Sequence, residues 1–163
     1  MLPDPLHPAV VHFPIALALL MPLLALLAAF AIQRDWLPSR GWAGIVLLQL
    51  LLVAFAVAAG NTGEDQEERV EKVVDEHYIE HHEEAAEIFI WIAALNLLPM
   101  GAGLMAGRNG AIARWASVAV ALPVLALAGR VGHSGGELVY VHGAANAYVS
   151  DVPAELPAEH RDH

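Results

Sequence analysis

The stretch HPAVVHFPIALALLMPLLALLAAFAI, residues 7–32, decides the fold. From His7 to Ile32 it contains no Asp, Glu, Lys or Arg. At about 1.5 Å per helical residue, its apolar part from residue 9 to 32 is long enough to cross a hydrocarbon layer of about 30 Å. Pro8 can open the helix, and Pro14 falls in its first turn, where a missing N–H costs little. Two imidazoles, His7 and His12, stand at the head of this run. Burying an unpaired polar ring at an apolar edge is costly, which makes His12 the strongest single candidate for a ligand.

Three more runs have the required length and polarity, near residues 42–59, 85–107 and 111–131. The composition agrees: 57% of the 163 residues are hydrophobic and 16% charged, and the mean hydropathy is +0.51, too apolar for an ordinary soluble domain. Short connections, QRDWLPSRG and RNG, join the first and last pairs and make them antiparallel neighbours. The expectation is an all-α polytopic membrane protein, an up-down four-helix transmembrane bundle over residues 1–143. Residues 1–8 contain Asp4 and no Lys or Arg, unlike the start of a cleaved leader, so the first run is expected to remain in the protein.

The middle connection differs in kind. After the turn signal GNTG comes EDQEERVEKVVDEHYIEHHEE, strongly charged and of helical period. Val70, Val73, Val74, His77, His81, Ala85 and Ile88 share one stripe, which predicts an acidic helical extension over 62–84, continuous with the third span and projecting from the membrane. Residues 144–163 read as a poorly ordered tail.

Arg34, Arg40, Arg108 and Arg114 lie beside the two short connections, whereas all eighteen acids except Asp35 lie elsewhere. The basic bias near the spans predicts short connections in the cytoplasm of a bacterial inner membrane and both termini in the periplasm. The formal charge of -10 excludes a nucleic-acid binder and favours cations. Without cysteine, thiolate metal sites, iron-sulfur clusters and covalent haem attachment are excluded.

In that topology the outer rim gathers His7 and His12, then Asp65, then His77, His81, His82 and Glu83, then His133. Imidazole and carboxylate on helix ends suit a transition metal ion. The expected ligands are His7, His12, His82, His133, Asp65 and Glu83, with His77 and His81 further out and Glu83 orienting an imidazole. One alternative is haem b, with His12 facing His82 or His133 and passing electrons near the surface. Another is a metal-free scaffold of a membrane complex, in which the histidines are merely solvated. A metal with an open position would also activate water or oxygen, although no motif names a substrate. Gln49 and Asn96 are expected to bond across helices, Pro22, Pro99 and Pro123 to kink theirs, GAGLMAG to pack closely, and the four tryptophans to form an interfacial belt.

Three motifs together, HPAVVHFPIAL, GNTGED with IEHHEEA, and GHSGGELVYVHG, resemble the bacterial membrane family DUF2231. The resemblance implies a four-span inner-membrane protein and maps the family pattern onto His7, His12, the His82–Glu83 pair, a Gly135–Gly136 turn and Tyr140. It implies no reaction. Respiratory and metal-handling membrane proteins are the partners it points to. The acidic extension with His77 and His81 departs from the simpler members.

Overall fold

A computed structural model describes residues 5–149. Among them there is no strand; the chain forms seven α-helices and one 3-10 turn. The helices are α1 (His7–Val10), α2 (His12–Gln33), α3 (Trp42–Val70), α4 (Glu76–Leu95), α5 (Leu97–Ala102), α6 (Gly107–Tyr140) and α7 (Asn146–Val149), with the 3-10 turn at Ser39–Gly41. Four long apolar helical segments are able to cross a membrane: His7–Gln33, Ser39–Val70, Glu76–Ala102 and Gly107–Tyr140. In the bundle α2 packs on α3 and α6, and α4 packs on the same two. The chain therefore runs round the bundle from neighbour to neighbour, as short loops require.

The packing is that of a membrane protein. Small residues face inward, with Ala18, Ala25, Ala29, Ala56, Ala93, Ala121 and Ala128 all buried. Large ones face out: Leu19, Leu23 and Leu27 are 63%, 53% and 54% exposed. Lipid is as apolar as leucine, so helices associate by close approach, which alanine permits, while the larger side chains meet the acyl chains.

Prolines set the breaks. Pro14 has no N–H for the Val10 carbonyl, and α1 ends at Val10. Pro99 likewise cannot serve Leu95, and the third span breaks between α4 and α5 at Asn96. Pro22 and Pro123, by contrast, lie inside α2 and α6.

The acidic extension corrects the expectation. Its first half continues the second span, because α3 runs unbroken through GNTG to Val70. At 29 residues, α3 is about 43 Å long and overshoots the hydrocarbon. The chain turns at residues 71–75, and Asp75 caps α4 by accepting from the His77 amide at 3.0 Å. Asp75 thus stops the continuous stripe that periodicity alone favours. The buried side of α4 is Ile79, Ala85, Phe89 and Ala93, so His77 and His81 are exposed and His82 turns inward.

The tail also begins in an ordered way. Ala144 is buried, and the Tyr148 hydroxyl donates to Gln66 Oε1 at 2.8 Å. The remainder of the expected disordered tail, residues 150–163, lies outside the described residues.

At the opposite end from the termini a buried polar knot joins the helices. Trp42 Nε1 donates to the Met100 carbonyl at 2.9 Å and Arg114 Nη1 to the Gly103 carbonyl at 2.6 Å. Trp42 is therefore a core residue and does not join an aromatic belt, whereas Trp36, Trp91 and Trp115 are exposed. Within GAGLMAG, Gly103 faces Trp42 and Arg114 closely, whereas Gly101 meets open space. Gln49 donates across to the Ala93 carbonyl at 2.7 Å. Asn96 is equally buried, yet its side-chain nitrogen and oxygen have no partner among the described residues.

Candidate histidine site

The two inward histidines are held alike, from opposite sides of the rim. His7 Nδ1 lies 2.8 Å from the Ala59 carbonyl and 3.4 Å from Thr62 Oγ1, whose hydroxyl donates to the same carbonyl at 2.9 Å. A carbonyl only accepts, so Nδ1 carries the proton and Nε2 of the neutral ring holds the free lone pair. His82 Nδ1 lies 2.8 Å from Ser134 Oγ, and that hydroxyl donates to the Val131 carbonyl at 3.1 Å. With the hydroxyl hydrogen committed, Oγ accepts from Nδ1–H, and Nε2 of His82 is again the lone-pair nitrogen.

Glycines make room for both rings. A Cβ on Gly63 would stand 3.3 Å from His7 Cε1, and one on Gly135 would stand 3.0 Å from His82 Cε1. GNTG and GHSGG are therefore helical segments recessed for an imidazole; the expected Gly135–Gly136 turn is replaced by two residues inside α6. Gly135→Val is expected to push His82 off Ser134. Histidine side-chain NMR checks this: the Nδ1–H signal of His82 should lose its hydrogen-bonded shift, and an unchanged signal would contradict the packing.

His82 stands on the acidic turn of α4, ahead of the apolar stretch that starts at Ala85. Burial first, then the charges of His7 and His81, hold its ring below the ordinary value of 6.5. The unfolded ring consequently takes up a proton before the folded one, so acidification below about pH 6.5 works against this packing and neutral pH favours it. Glu83 is pushed up, by burial and then by Glu67, Glu64, Glu71 and Glu80. An acidic face on α3 and α4 thus adjoins the imidazoles.

The other sequence candidates lie elsewhere on the rim. His12 is exposed, while Pro14, two residues on, is buried. His133 is exposed and pairs with Glu137 Oε1 at 3.4 Å. Asp65 and His77 are exposed, and His81 Nε2 lies 3.5 Å from an Arg130 guanidinium nitrogen. Among the described residues no group of three or more His, Asp or Glu side chains converges as a set of metal ligands. Of the expected ligands, His7 and His82 are the two whose rings are half-buried and held through Nδ1 by a neighbouring helix. Sequence reasoning passed over Thr62, Gly63 and the bonding role of Ser134, and read Gly135 as part of a turn. Their signal was small and hydroxyl residues placed where a histidine on a neighbouring helix could dock.

These features define a class: a four-helix membrane protein with two recessed histidines, His7 and His82, each held by a neighbouring helix. The chain belongs to DUF2231, a family of predicted membrane proteins, whose model matches residues 3–148. No curated protein and no solved structure matches it.

Proposed function

We propose that His7 and His82 are the protein ligands of a transition-metal centre at this end of the bundle, and that the centre brings most of its own coordination, as haem b does. One observation carries the reading: each ring is anchored through Nδ1–H to an oxygen, leaving Nε2 as the donor. That is the arrangement that fixes the tautomer and orientation of metal-ligating histidines. His7 and His82 would hold the iron of a haem through their Nε2 atoms, and the group would supply one-electron redox chemistry, so the role proposed is electron transfer.

A second reading rests on the acidic face. Glu64, Glu67, Glu71 and Glu80 raise the pKa of Glu83, the residue next to His82, and an acidic surround of that kind favours a non-haem ion held by the two imidazoles and solvent. On either reading the four arginines beside the short connections support a site facing the periplasm of a bacterial inner membrane. Respiratory or metal-handling membrane proteins are the partners this role calls for.

An absorption spectrum with elemental analysis, on protein purified in detergent from cells supplied with iron and haem precursor, tests the proposal. A Soret band with stoichiometric iron is the expected result. A stoichiometric non-haem metal would select the second reading, and a folded protein empty of both would overturn the metal centre in favour of a scaffold.

A further inference from the structure

At the opposite end of the bundle, an open pocket of about 320 Å³ lies between α2 and α6. Ala29 and Gln33 line it from α2, and Arg108, Ala111, Ile112, Arg114 and Trp115 from α6. Arg114 is only 6% exposed, which is expensive for a guanidinium that is never neutral. Its one hydrogen bond is from Nη1 to the Gly103 carbonyl, and among the described residues neither Arg114 nor Arg108 has a carboxylate partner. Two permanent cations and a primary amide thus share one pocket with no acid in its lining.

We propose that this pocket binds the phosphodiester headgroup of an anionic phospholipid. Guanidinium forks match phosphate oxygens in geometry and charge, and Gln33 adds an amide donor. The pocket also sits against the first turns of α6, where amide N–H groups are unpaired and the helix end is positive. The lipid, as opposed to a soluble anion, follows from position. Trp115 and Ile112 are exposed apolar neighbours of the arginines, and tryptophan is a residue enriched at headgroup depth. A headgroup would lie against the guanidinium groups while its acyl chains pass down the apolar exterior of the bundle. Basic pockets between membrane helices use the same chemistry. This assignment is independent of the histidine site, which lies at the other end of the bundle.

Native mass spectrometry of the detergent-purified full chain tests it, with phosphatidylglycerol, phosphatidylcholine and inorganic phosphate as probes. Phosphatidylglycerol should bind in preference to phosphatidylcholine, resist millimolar phosphate, and bind roughly fivefold more weakly to Arg108→Gln, the scale of one basic side chain at a lipid surface. Arg114→Gln should weaken it further, but its loss of the Gly103 bond can disturb folding. The exposed Arg108 therefore carries the decision. Equal binding of both lipids, unchanged binding to Arg108→Gln, or displacement of the lipid by phosphate would each overturn the proposal.

Discussion

Purified Gly110→Ala protein is expected to unfold far below the wild-type temperature. Gly110 is buried in the first turn of α6, and a Cβ there would meet the carbonyl carbon of Met105 at 2.7 Å, with the carbonyl oxygen nearer still. That obstacle is backbone, so no rotamer change relieves it. Nor is the loop free to retreat, because the Leu104 and Met105 amides are bonded to Gly101 and Ala102 at 3.1 Å each. Arg114 Nη1 stands 3.3 Å from the same point, so the Arg114–Gly103 bond is strained as well. Overpacking against fixed backbone belongs at the upper end of the usual range, about 3 kcal/mol. Gly132→Ala is the matched control, since a Cβ there meets nothing within 4 Å and alanine is the better helix former. Thermal melts in one detergent compare the two. Equal melting temperatures would show that the α5–α6 corner is not packed as described.

The second large effect concerns the histidine pair. If His7 and His82 hold a metal centre as proposed, His7→Ala and His82→Ala are each expected to lose it, with affinity falling on the order of 100-fold or more, because each would remove one of two protein ligands. His12→Ala and His133→Ala should retain it, since both rings are exposed. Ser134→Ala should fall between, weakening the centre by about tenfold to a hundredfold, because it removes the acceptor that orients His82 without touching Nε2. Each variant is scored for Soret absorbance or bound metal per protein, with its melting temperature as the check on folding. Full loss in His12→Ala with retention in His7→Ala would reverse the assignment. Proportional loss in all variants would point to a general collapse of the rim.

Much of this was legible in the chain. The four spans follow from the length and polarity of the apolar runs, because lipid demands both whatever the tertiary contacts. The histidine pair was only half legible. His82 stood among the leading candidates and His7 among the further ones, but His12 and His133 stood with or above them, and both are exposed. Facing is decided by rotation of a helix about its axis, and a break of one residue shifts that rotation by about 100°. The turn at 71–75, capped by Asp75, restarts α4 with His82 inward and His81 outward. Likewise the GNTG and GHSGG segments carry the composition of turns and become helix, because Gly63 and Gly135 face rings on neighbouring elements.

The sequence by itself determined the class of protein: four apolar helices, short loops that make them antiparallel, four arginines beside those loops and the imidazoles with most of the acids at the other end. Those properties rest on the solvent, and a bilayer imposes them on each segment separately. Only the tertiary structure decided which histidines are oriented by partners, which glycines are recesses, and that Arg108 and Arg114 share a pocket. Each of these depends on the register and rotation of two helices against each other. That relation is set by the packing of alanines, prolines and capping residues far from the groups whose chemistry it arranges.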